Sequence, residues 1–143
     1  MSFSEYGDRG VNPSDIAQHL YDAGRKEALD QSIEQRFPEL NENAARLFDE
    51  AQRAHDQITV SLNDEKFRYG YAFGNIMMLI GLPLHGTRAE VSKDVGNAVH
   101  HLDNYLNQMS ENIIFSGEQG QAVRASLERY LGTLTSLRDA CSE

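Results

Sequence analysis

Leu40, Ala44, Leu47, Ala51, Ala54, Ile58 and Leu62 recur at spacings of 4, 3, 4, 3, 4 and 4, and Val91, Val95, Ala98, Leu102, Tyr105, Met109 and Ile113 repeat the same series. An α-helix turns once every 3.6 residues, so each series draws one apolar stripe along one side of a helix and leaves the other side to water. Two long helices with one greasy side each must pack against further helices. No segment shows the two-residue alternation of a strand with comparable strength, so the chain is expected to be all-α.

The remaining elements follow from caps and breakers. Asn12 can cap a helix that has Pro13 at its first position and Asp15 in its first turn. Ile16, Leu20 and Ala23 form one apolar line, and Leu29, Ile33 and Phe37 form a second whose phase has shifted, which predicts a kink or break near Gly24. Pro38 ends this helix, because a proline pushes the residue before it out of the helical region. Asn63 and Asp64 offer a turn, and Thr87 with Glu90 has the pattern of a capping box. Phe115, Ser116 and Gly117 break the second striped helix. A last helix is expected from about Glu118 to Ala140, through Val123, Leu127, Tyr130, Leu131, Leu134 and Leu137, with Glu118 and Arg138 placed favourably for the helix dipole. With no repeat and no low-complexity linker, the reading is a single-domain bundle of about five helices over residues 13–143, preceded by an irregular N-terminal arm over residues 1–12. At 143 residues such a domain buries roughly 70% of the surface its unfolded chain exposes.

Between the striped helices lies Phe67 to Leu79, FRYGYAFGNIMML, where aromatic residues and methionines crowd around glycines. Projected as a helix over about 65–81, Gly70, Gly74 and Gly81 fall within about 40° of one another. Phe67, Tyr71 and Met78 lie to one side of them and Phe73, Ile76 and Ile80 across from them, so the helix is apolar nearly all round. That pattern predicts a largely buried central helix. An interior glycine costs about 1 kcal/mol relative to alanine, so three aligned glycines suggest helix packing at Gly70, Gly74 and Gly81. No phosphate-binding glycine pattern accompanies them.

Charge narrows the function classes. The net charge is -9, and it belongs to the first half: residues 1–65 carry 14 acidic against 6 basic side chains, residues 66–143 carry 8 against 7. A field of that sign repels nucleic acid phosphates and anionic membranes and attracts basic proteins. Direct nucleic acid binding is therefore not expected. The most apolar window, Tyr69 to Leu84, is interrupted by glycines and Pro83 and falls short of the ~20 apolar residues of a membrane span. The first ten residues, MSFSEYGDRG, lack the basic start and apolar run of a signal peptide, so a cytoplasmic location is expected. Cys141 is the one cysteine, which excludes an internal disulfide and a cysteine metal cluster.

Catalytic motifs are missing: no nucleotide-binding glycine loop, no serine elbow, no paired cysteines and no His-Glu-x-x-His helix. Asp94, Asp103 and Glu128 read as surface carboxylates, and no cofactor is implied. A helical bundle could gather His19, His55 and His101 with Asp56 or Asp103 around a metal, the alternative reading as an enzyme. His100 and His101 are adjacent on a helix and point about 100° apart, which keeps them from sharing one metal.

Interaction is the leading class. A non-enzymatic acidic helical protein that binds and masks or inhibits another protein, in the manner of adaptors, antitoxins, immunity proteins or inhibitors, fits what the residues offer. Glu27, Asp30, Glu34, Glu39, Glu42, Asp49, Glu50 and Asp56 are the candidate partner-binding face for a basic surface. Lys26, Arg46 and Arg53 interleave with them and neutralise part of the field. The long apolar stripes also suggest a homodimer.

Overall fold

The computed structural model describes residues 23, 24, 26–28 and 30–142. Its helices are α1 (Ile33–Arg36), α2 (Glu42–Asp64), α3 (Lys66–Tyr69), α4 (Tyr71–Leu79), α5 (Arg88–Gln108) and α6 (Gly117–Ser142), with a 3-10 turn at Ile113–Phe115 ahead of α6. Residues 23, 24, 26–28 and 30 are also helical, and no strand occurs among the described residues. The all-α class and the approximate size of the bundle are as expected. The arm over residues 1–12, the helix start at Asn12 to Asp15 and His19 lie outside the described residues.

The two striped helices form where their spacing placed them. The Asn41 side chain accepts from the Ala44 N–H at 2.8 Å and caps α2. The buried seam of α2 is Ala44, Phe48, Ala51, His55, Ile58 and Leu62. It is rotated slightly from the stripe read in the sequence: Phe48 and His55 take the centre, and Leu47 and Ala54 become half-buried flanks. Thr87 accepts from the Glu90 N–H at 3.1 Å while the Glu90 carboxylate accepts from the Thr87 N–H at 2.8 Å, completing the capping box of α5. These bonds, the one from the Thr87 backbone foremost, hold the Glu90 carboxyl below its ordinary range. Val91, Val95, Leu102 and Leu106 bury the inner side of α5. That helix stops at Gln108, and Ile113 stands outside it, exposed in the 3-10 turn.

The central helix is α6, which packs along both α2 and α5. Val123, Leu127, Tyr130, Leu134 and Leu137 run through the core, and a fully buried side chain of this kind contributes roughly 1.5–3 kcal/mol. The expectation of a largely buried central helix over about 65–81 is corrected here. The run breaks at Gly70, whose φ of 49° and ψ of -122° separate α3 from α4. Within α4 only Ile76 is fully buried, while Tyr71 is 98% and Met78 80% exposed. The reason is length and position: a nine-residue helix lying against α5 meets neighbours on one side only, so its other greasy side stays uncovered.

The glycine expectation changes with it. A Cβ added at Gly70 or Gly74 would meet nothing within 4 Å, and one at Gly81 would meet only the Met78 and Met77 carbonyl oxygens at 3.7 and 4.0 Å. Among the described residues, none of the three has a neighbouring helix packed against it. The glycine that does is Gly120, where a Cβ would stand 2.6 Å from the Phe115 carbonyl carbon and 2.8 Å from the Ile114 oxygen. The first helix also differs from the reading. Gly24 is helical, and the interruption falls at Gln31 and Ser32, where Ser32 and Gln35 form a capping box that starts α1.

These glycines yield opposite expectations in urea denaturation. Gly120→Ala forces a methyl group into backbone and should lose about 1–3 kcal/mol, the range of overpacking. Gly74→Ala, inside a helix and facing open space, should gain about 0.5–1 kcal/mol.

Candidate functional site

Ser32 restarts the helix, and the short α1 that follows turns its residues toward the outer side of α2. Between them lies a groove of about 770 Å³, walled by Gln31 to Glu34 and Arg36 on one side and by Glu42, Ala45, Arg46, Asp49, Gln52 and Asp56 on the other. Glu42, Asp49 and Asp56 are seven residues apart, two helical turns, so they stand in a row about 10.5 Å apart along one face of α2. Four acidic residues therefore line this groove, together with Arg36 and Arg46.

The eight acidic candidates divide into groups. Glu34, Glu42, Asp49 and Asp56 line the groove together. Glu27 and Asp30 are exposed on the helical residues ahead of α1. Glu50 forms an ion pair with Arg46, and Asp49 forms one with Arg53. Glu39 is engaged elsewhere: its carboxylate accepts from the Arg88 N–H at 3.0 Å, capping the start of α5. A second bond, from the Gly86 N–H to the Arg36 carbonyl at 3.2 Å, ties the same segment to the loop before α5. The groove wall thus stands on the cap of a long core helix.

Arg36 was missed in the sequence. It is 7% exposed, its guanidinium carbon lies 5.5 Å from the Phe37 ring centroid and 5.7 Å from that of Phe48, and those two rings pack 4.5 Å apart. The signal lay in the Arg-Phe-Pro run, where two greasy neighbours and a helix stop leave a cation little room to turn outward.

The histidines do not assemble. His55 is buried in the α2 seam, its ring 6.5 Å from that of Tyr130 and its Nδ1 3.4 Å from Asp56. His101 is exposed beside His100, ring centroids 5.4 Å apart. Among the described residues no group of three or more His, Cys, Asp or Glu could hold a metal. His19 lies outside those residues, so the remaining parts of the proposed metal set, His55, His101, Asp56 and Asp103, are not brought together. Asp94, Asp103 and Glu128 are exposed, as read. No helix among the described residues is long and apolar enough to cross a membrane.

Among the described residues, the buried hydroxyls of Tyr69 and Tyr105 are without hydrogen-bond partners. Burial pushes both phenols up, and Tyr69 adds to the rise at Tyr105. Burial likewise pushes the Cys141 thiol up. The unfolded chain releases these protons first, the thiol near pH 8.5 and the phenols near pH 10, in ordinary ranges. The contribution of these three groups to stability should therefore be level below about pH 8 and fall as the pH rises from about 9 to 11. Urea midpoints taken across that range test this, and Tyr105→Phe, which removes one unpaired hydroxyl, should reduce the alkaline loss at little or no cost at pH 7.

Comparison of the chain with protein-family models, with curated proteins and with solved structures finds no match.

Proposed function

We propose that the chain is a non-enzymatic binding protein that masks a basic surface of another protein through the acidic groove between α1 and α2. The observation that carries this reading is the row of Glu42, Asp49 and Asp56 along one face of α2, with Glu34 opposite. A helix or strand of a partner laid along that row finds carboxylates at regular intervals. Charge of this kind speeds encounter and selects the partner, and its effect fades as salt shortens the screening length. The negative first half of the chain adds a long-range field of the same sign. A cytoplasmic basic protein, one whose surface otherwise meets nucleic acid, is the kind of partner this suits.

A pull-down from the native host, run at low and high salt, tests it. A basic protein should be captured at low salt, released at high salt, and missed by the triple variant Glu42→Gln, Asp49→Asn, Asp56→Asn. Capture indifferent to salt and to the triple variant would sink the reading.

A second reading, self-association, is favoured by the outer face of α4. Tyr71 and Met78 are nearly bare, Gly74 between them is open, and residues 69–84 carry no charged side chain. On a chain of net charge -9, two copies meet with least repulsion where neither bears charge. A twofold contact laying this face on itself is the form expected. Light scattering at micromolar concentration should then return a dimer mass for the wild type and a monomer mass for Met78→Asp; a wild-type monomer would remove this reading.

A further inference from the structure

Arg36 is a buried cation without an anion. Its Nε and Nη1 have no hydrogen-bond partner. The faces of Phe37 and Phe48 attract the positive charge, but they do not replace in-plane acceptors for the N–H groups. Burial pushes its pKa down, with no carboxylate among the described residues to counter that. Two of the groove's four carboxylates are engaged elsewhere, Asp49 with Arg53 and Asp56 with the Gln52 amide at 3.2 Å. Yet Arg36 is one of the residues that line that same groove.

A guanidinium in such a position matches one kind of ligand atom group, a planar monoanion with two acceptor oxygens. A free anion would be repelled by Glu34, Glu42, Asp49 and Asp56. The same anion carried on a basic segment enters with cations beside it, and their attraction to the row offsets that repulsion. A phosphate dianion would meet roughly twice the repulsion of a carboxylate at the same distance. A purely basic segment would cover Arg36 and leave it still unpaired, which counts against that segment.

We infer that Arg36 receives a carboxylate borne by the basic segment that occupies the groove, so that the site selects basic segments containing one acid over those containing none. This rests on the proposed reading of the groove as an acceptor of basic surfaces. The carboxylate is either the C-terminus of the segment or an Asp or Glu side chain within it.

Three rhodamine-labelled oligoarginine peptides separate these possibilities on the unaltered protein: one amidated, one with a free C-terminus, and one amidated with a single central Glu. Fluorescence anisotropy at low salt should show the free-acid or the Glu peptide binding about tenfold tighter than the all-basic amide, the gain of one charge-assisted pair. Whichever peptide gains names the source of the carboxylate. That gain should vanish in Arg36→Gln, and the Arg36 Nε–H resonance of the wild type should shift with the favoured peptide and not with the amide. Equal binding of all three peptides, weakened by the Glu42→Gln, Asp49→Asn, Asp56→Asn variant, would overturn the role of Arg36 and leave the groove reading standing. Binding of none of them, or binding untouched by that triple variant, would overturn both. The comparison of peptides on the wild-type protein stands even if Arg36→Gln fails to fold.

Discussion

One helix serves two neighbours. α2 and α5 each bury a single side, and both lay that side on α6. The position of every other element follows from this sharing. It requires α6 to be apolar over a wide sector, which is why Leu127, Tyr130, Leu134 and Leu137 are all without exposure and why Ala140 and Cys141 are buried at its end. It also requires the chain to reverse tightly between Gln108 and Gly117 so that α6 begins beside the end of α5. The 3-10 turn makes that reversal, and its backbone runs so close beneath α6 that only a hydrogen fits at position 120.

Much of this architecture could be read from spacing alone, because an apolar stripe of period 3.6 has few ways to be buried. α2 and α5, the caps at Thr87 and Glu90, and the extent of α6 all follow from local rules that tertiary contacts reinforce. What misled was the glycine-rich run. Gly70, Gly74 and Gly81 align on a helical wheel, but a wheel says nothing about whether a neighbour exists. The positive φ at Gly70 breaks the helix that the projection assumed. Gly120 carries the opposite lesson: its need for a bare Cα comes from a contact with Phe115 that depends on how a turn folds back, and no periodicity announces that.

The groove was legible in part for a similar reason. The heptad row of Glu42, Asp49 and Asp56 is written in the sequence, and their common face follows from helix geometry. That α1 would stand opposite them required knowing that Ser32 breaks the preceding helix, and that Glu39 would be held at the start of α5. Both are single hydrogen-bonding events with no repeating signature. Arg36 belongs to the same class. Its burial is imposed by Phe37 and Phe48 and by the backbone bond from Gly86, so the one cation buried among the described residues arises from the joining of three separate segments.

Tyr130 donates its hydroxyl to the carbonyl of Ile80, a buried bond that spans 50 positions of chain. It grips α4 at the end of that helix, whereas the other end begins at Gly70 with no side-chain cap. The short helix is thus moored at its stern and loose at its bow. On heating, opening is expected to start at Tyr71 and run toward Ile76, with the phenol of the central helix as the point where the unzipping halts.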